Sequence, residues 1–162
     1  MDTAVVGLGS NIGDAAANVL GAVEALATLP HSQVAAVSRL YRTPAWGGVA
    51  QADFVNAAVR LETALAPLDL LDGLLEIERR FGRVRTAGNH WGPRTLDLDV
   101  LLYGTRVIAH PRLTVPHPYL HERAFALVPL LDVLPSARIP GRGDARKLLQ
   151  ELHETGAIAP IG

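Results

Sequence analysis

The chain predicts an α+β fold, a ferredoxin-like split βαβ arrangement with a mainly antiparallel sheet packed against helices. Three observations predict it. The segments read strand, helix, strand, strand, helix, strand in order. The two middle strands follow one another with no helix between them. The composition, 49% apolar over 162 residues with a formal net charge of −1, suits one compact domain over residues 1–162.

Each element has its own signature. Val5, Val6 and Leu8 read as a buried strand closed by a glycine turn, Gly9-Ser10-Asn11-Ile12-Gly13-Asp14. Val19, Leu20, Val23, Leu26 and Ala27 then recur at helical spacing up to Pro30, which predicts a helix over 15–29. Gln33 to Tyr41 and Asp53 to Leu61 show β-branched alternation and predict two consecutive strands, joined by a loop from Arg42 to Ala52. Pro67 suits a helix start, and Leu68, Leu71, Leu74, Leu75, Glu78 and Arg79 carry the helix to Phe81, where Gly82 ends it. Gly82 to Gly92 is polar, basic and aperiodic, and reads as an exposed mobile loop. Strict alternation returns from Thr95 to Tyr103, with a short partner strand at Val107–Ile108. Glu122 to Leu131 and Ala145 to His153 complete the chain as short helices, placed to cover the second face of the sheet.

Composition removes several function classes. A domain of this size buries roughly 70% of its unfolded surface, so it needs no disulfide or structural metal. There is no Cys, which excludes thiol catalysis, iron–sulfur clusters and Cys-ligated zinc. No basic leader precedes an apolar stretch, and no apolar run approaches the roughly 18 residues that span a bilayer, so a cytoplasmic location without membrane attachment is expected. The near-neutral charge argues against nucleic-acid binding. No exposed apolar seam is evident, and a monomer is expected. Fourteen of the fifteen basic residues are nevertheless Arg, and five of them, Arg79, Arg80, Arg83, Arg85 and Arg94, fall within sixteen positions. Arginine forks suit phosphate and carboxylate, which leaves a local anion site open.

Chemistry concentrates in Arg94-Thr95-Leu96-Asp97-Leu98-Asp99-Val100. In a strand, Asp97 and Asp99 share one face while Leu96, Leu98 and Val100 take the other. Two carboxylates about 7 Å apart repel by about 2 kcal/mol at an effective dielectric near 20, and a cation relieves that. With oxygen ligands and no thiols, Mg²⁺ completed by water and substrate phosphates is the natural partner. An isolated Asp-x-Asp more often faces solvent at a sheet edge; the Gly/Arg-rich loop leading into this one shifts the balance. Arginines on such a loop can close over a polyphosphate and neutralise charge that develops there. The chain has no P-loop, since its one Lys, Lys147, lies in another context. The Gly7-Leu8-Gly9 turn does not make a dinucleotide site either, because strand follows strand where a Rossmann unit needs a helical crossover. Phe54, Asn56, Trp46 and Phe125 are candidates for a stacking pocket whose amide reads the edge of a flat heterocycle. His117, beside Arg112 and Arg123, is a candidate hydrogen-bond donor to phosphate.

Taken in order, Gly9-Ser10-Asn11, Tyr41-Arg42-Thr43-Pro44, Phe54-Val55-Asn56, Gly92-Pro93-Arg94-Thr95-Leu96-Asp97-Leu98-Asp99, and Pro116-His117 with Arg123-Ala124-Phe125 resemble the motifs of 6-hydroxymethyl-7,8-dihydropterin pyrophosphokinases of folate biosynthesis. The resemblance runs from about Val5 to Pro135. It implies transfer of diphosphate from ATP to the pterin hydroxymethyl group with release of AMP, and the use of two Mg²⁺ ions. By motif, Asp97 and Asp99 would hold both metals, and Arg83 and Arg94 would act on the transferring phosphates. Trp91, Glu78, Arg112, Thr114, His117 and Arg123 would line the ATP. The pterin would stack between Phe54 and Phe125, with Asn56, Thr43, Pro44, Trp46 and Ser10 around it. Leu75 and Trp46 depart from the pattern, the first where some members carry a polar nucleotide contact and the second where the loop is often aliphatic. An RNA-binding module and a nicotinamide oxidoreductase are the competing classes. The first is opposed by the two aspartates and the absence of an RNP-type aromatic pair, and the second has only the glycine turn in its favour.

Overall fold

A computed structural model describes residues 1–44, 53–82, 96–152 and 158–161. The predicted loop over 83–92 lies outside the described residues. The elements are β1 (Asp2–Ser10), α1 (Ala15–Leu26), β2 (Ser32–Val37), β3 (Tyr41–Thr43), β4 (Phe54–Thr63), α2 (Pro67–Arg80), β5 (Asp97–Tyr103), β6 (Ile108–His110), β7 (Leu113–Val115), α3 (Ala124–Val133), β8 (Arg138–Ile139), β9 (Gly143–Asp144), α4 (Ala145–Gln150) and β10 (Ala159–Pro160). The main sheet runs β10-β3-β4-β1-β5, with β2 also on β4, and its pairings are antiparallel. With β2 and β3 counted as one interrupted strand, this is the split βαβ order that the sequence predicts.

Both helix starts follow from local chemistry. The Asp14 carboxylate accepts from the Ala17 N–H at 3.0 Å and caps α1. Pro67 opens α2, where its missing N–H leaves no partner wanting, and Gly82 takes φ +79° just past the end. Alternation then divides the sheet into two faces. On one, Ala4, Val6 and Leu8 of β1 and Leu98 and Val100 of β5 pack under Val19, Ala22 and Leu26 of α1 and Leu70, Leu74 and Ile77 of α2. On the other, Val5, Ala58, Leu101 and Leu102 meet Leu127, Leu130 and Leu131 of α3. The C-terminal additions thus cover the second face.

The structure corrects several sequence expectations. Gly7 and Gly9 are not in a turn but inside β1, facing Asp99 and Asp97 on one side and Ala58 and Asn56 on the other. Gly13 alone among the first glycines takes a positive φ, 64°. The alternation of β5 breaks where the register shifts between Val5 and Val6 of β1, so Leu101 and Leu102 both reach the α3 side. The short strand begins at Ile108 and pairs with β7, a strand of three residues too brief for periodicity to show. The second predicted strand is broken. The Val37↔Val59 register of β2 becomes Tyr41↔Asn56 in β3, which leaves one extra residue on the β2–β3 side. Ser38 fills the break: its N–H donates to the Ala58 carbonyl at 2.9 Å, and its Oγ accepts from the Ala58 N–H at 2.8 Å.

Candidate active site

One row of residues crosses the sheet on its α3 side. Asp97 of β5 faces Gly9 of β1, Gly9 faces Asn56 of β4, and Asn56 faces Tyr41 of β3. A second row runs Asp99, Gly7, Ala58. Directly opposed residues in an antiparallel pair share a face, so both carboxylates and the Asn56 amide lie on one surface. Only glycine separates them. A Cβ on Gly9 would sit 3.0 Å from Asn56 Oδ1, and one on Gly7 would sit 3.2 Å from the Leu101 side chain. Having no side chains of their own, the two glycines leave the strip between the acidic end and the amide end, here termed the trench, to the Asn56 amide over Gly9 and the Leu101 side chain over Gly7.

At the amide end Asn56 is 8% exposed and Thr43 3%, and Asn56 Nδ2 donates to Thr43 Oγ1 at 2.8 Å. That bond fixes the orientation of the amide. Phe54 lies opposite Thr43 on the same face, with Pro44 exposed just beyond. Phe125 is in the first turn of α3, the helix that covers this face. The sheet parity that gathers Phe54, Asn56 and Thr43 sends Ser10 the other way. Ser10 pairs with Val55, is fully buried, and its Oγ accepts from Asn18 Nδ2 at 3.3 Å, so its hydroxyl serves the start of α1 rather than the trench.

At the acidic end β5 is the edge strand, and two groups take over the hydrogen bonds of a missing neighbour. The Glu78 carboxylate, 2% exposed on α2, accepts from the Leu98 N–H at 2.7 Å, between the two aspartates. The His117 N–H donates to the Leu101 carbonyl at 3.1 Å. Asp97 and Arg123 lie within electrostatic reach of the His117 ring. Burial, helped by the Arg123 guanidinium and opposed by the Asp97 carboxylate, pushes the His117 ring down to about 4. Its Nδ1 accepts from the Tyr119 N–H at 3.2 Å, which leaves the proton of the neutral ring on Nε2. The Arg123 guanidinium lies 5.1 Å from the Tyr119 ring centre and 5.6 Å from that of Phe125, so it joins the histidine end to the aromatic end. Thr114 is exposed on β7, and Arg112 pairs with Asp72 of α2. Arg83, Trp91, Arg94 and Trp46 lie outside the described residues.

Among the described residues no group of three or more His, Cys, Asp or Glu side chains gathers as a metal cage. Two half-buried carboxylates on one face suit Mg²⁺ nonetheless, because that ion keeps several waters and shares its sphere with substrate phosphates.

Comparison with known proteins identifies the family. Residues 5–135 match the family described as 7,8-dihydro-6-hydroxymethylpterin-pyrophosphokinase. The 2-amino-4-hydroxy-6-hydroxymethyldihydropteridine pyrophosphokinase of Methylorubrum extorquens is 47% identical over 156 residues, covering 96% of this chain and 97% of the relative. The enzyme of the same name from Aquifex aeolicus is 36% identical over 161 residues, covering 99% and 96%. The crystal structure of wild-type Plasmodium falciparum HPPK-DHPS superposes with a TM-score of 0.70 at 17% identity, over 93% of this chain and 43% of that longer one, a likeness of fold. On the family match and these full-length relatives, the chain belongs to the 7,8-dihydro-6-hydroxymethylpterin-pyrophosphokinase family.

Proposed function

We propose that the trench is where the family's reaction takes place, with Asp97 and Asp99 as the ligands of two Mg²⁺ ions and the Asn56 end as the pterin site. The chain is an ATP-dependent pyrophosphokinase of folate biosynthesis that acts on hydroxymethyldihydropterin. The observation that carries the assignment is the row Asp97–Gly9–Asn56, which sets a carboxylate and an amide on one face across three strands with only a glycine between them. In the transfer, the pterin hydroxymethyl oxygen attacks the β-phosphorus of ATP, the bond from that phosphorus to the oxygen bridging to the α-phosphate breaks, and AMP leaves. The hydroxyl proton is lost in the same process.

The chain's own groups divide this work. Asn56, oriented by Thr43, reads the polar edge of the pterin, while Phe54 and Phe125 stack on its faces and Pro44 and Trp46 border it. His117 presents a neutral Nε2–H donor to phosphate, and Arg123 adds charge beside it. Arg112 exchanges its Asp72 partner for the nucleotide, next to Thr114. Glu78 acts from behind the strand by holding the Leu98 amide between the two carboxylates. Arg83, Arg94 and Trp91 act from the segment between α2 and β5, the arginines on the transferring diphosphate and the tryptophan on the nucleotide. Bound Mg²⁺ would neutralise the diphosphate oxygens as charge shifts to the leaving AMP. The protein acts as a monomer in the cytoplasm; none of the described helices is long and apolar enough to cross a membrane.

Incubation with Mg-ATP and reduced hydroxymethylpterin should yield AMP and the pterin diphosphate in equal amounts. Absence of AMP, or AMP formed equally well without pterin, refutes the reading.

A further inference from the structure

The strand break at Ser38 has an effect far larger than its size. Had β3 kept the register of β2, Asn56 would face Leu40, and Tyr41 and Thr43 would point toward α1 and α2. The extra residue reverses their parity. Leu40 instead packs with the α1/α2 core, and Tyr41 and Thr43 come to the trench side. Tyr41, 7% exposed, then donates its hydroxyl hydrogen to Asp132 Oδ2 at 2.6 Å, and the Arg39 N–H donates to the same oxygen at 3.2 Å. Burial and the adjoining Asp132 carboxylate push the Tyr41 phenol up to about 12, so it stays a donor throughout the physiological range. Asp132 belongs to the last turn of α3 and Phe125 to the first. Seven residues make about two turns, so both project from one side of the helix, about 10 Å apart along its axis. At the other end of β3, Thr43 lies opposite Phe54. One polar tie thus joins the helix bearing one candidate stacking ring to the strand that frames the other.

We propose that Tyr41 and Asp132 are positioning residues that set the width of the pterin cleft by fixing α3 against β3, with the Ser38 break as the device that brings them face to face. The proposal rests on the assignment of Phe54 and Phe125 to the pterin. Stacking on both faces of a flat ring needs the two phenyl rings at one definite separation, and a helix free to pivot would not keep it.

Tyr41→Phe deletes one hydroxyl from a site that keeps its packing, so the full chain should fold. In this variant and in Asp132→Ala, the dissociation constant for reduced hydroxymethylpterin should rise about 5- to 20-fold while that for ATP stays within about twofold, and the KM for pterin should rise more than kcat falls. Asp132→Asn, which retains a carbonyl acceptor, should recover most of the loss. In a Phe125→Ala background, Tyr41→Phe should add less than about a twofold change, because its effect passes through that ring. Additive losses, or equal losses for ATP and pterin, overturn the clamp and reduce the pair to a structural contact. Unchanged pterin affinity in Tyr41→Phe overturns the clamp but leaves the cleft standing if Phe125→Ala weakens pterin. Unchanged affinity in Phe125→Ala overturns both.

Discussion

The two faces of the sheet differ in what they bury. Toward α1 and α2 the strands present Ala4, Val6, Val59 and Leu61, all fully buried, under Val19, Leu26, Leu70, Leu74 and Ile77, which are also fully buried. Toward α3 the hydrocarbon is confined to one half, Val5, Ala58, Leu101 and Leu102 beneath Leu127 and Leu130, and the other half carries Gly7, Gly9, Thr43, Asn56, Asp97 and Asp99. Stability comes mainly from apolar burial, so the first face holds the fold and frees half of the second to be polar. A single strand serves both purposes because its side chains alternate.

Substitutions on the two faces should therefore fail in different ways. The largest effect is expected at the acidic end. Asp97→Ala or Asp99→Ala should lower turnover by about three orders of magnitude or more while the circular dichroism spectrum stays native. A variant with near-normal turnover at ordinary Mg²⁺ would remove the metal from this face. On the opposite face, Leu74→Ala should cost about 2–5 kcal/mol in urea unfolding through the cavity it leaves, with pterin and ATP KM values unchanged in the folded fraction. A KM change there would show that the two faces are not separate.

His117 gives the comparison a pH axis. Its folded value is lowered, so the unfolded chain takes up the proton first as pH falls. The His117 contribution to stability is complete above the unfolded value near 6.5 and is lost progressively as pH falls toward about 4. The ring is only partly buried, so the loss should not exceed about 3 kcal/mol. Urea unfolding of wild type and His117→Gln from pH 7 to pH 4.5 tests this, and parallel pH profiles would contradict it. The smallest effect is expected at Gly9. Gly9→Ala should displace the Asn56 amide and weaken pterin binding by about tenfold, with little change in unfolding free energy. Calorimetric titration showing full pterin affinity would mean that the trench tolerates a methyl group and that Asn56 is not held where the pterin needs it.

Much of the candidate site is legible in the motif segments. Alternation alone placed Asp97 and Asp99 together, since a strand allows no other outcome. The order of strands and helices likewise required a hairpin-like middle and hence antiparallel pairing. Other features had no local signal. Gly7 and Gly9 read as a turn because glycine usually marks one; their place inside β1 depends on Asn56 and Leu101, which lie more than forty-five positions away in the chain. Ser10 sits beside them in sequence but belongs to the opposite face, a matter of pairing parity with Val55.

The fold class, the helix limits at Asp14, Pro67 and Gly82, the shared face of the two aspartates and the family resemblance were all determined by the sequence, because each rests on spacing within a few residues or on a contiguous motif. The register slip at Ser38, the Tyr41–Asp132 tie, the second leucine at the β5 bulge and the neutral state of His117 were decided only by the tertiary structure. Each of these depends on a hydrogen bond, a strand register or an apolar enclosure made by distant segments, and side-chain parity, once shifted by a single residue, moves every later group to the other face.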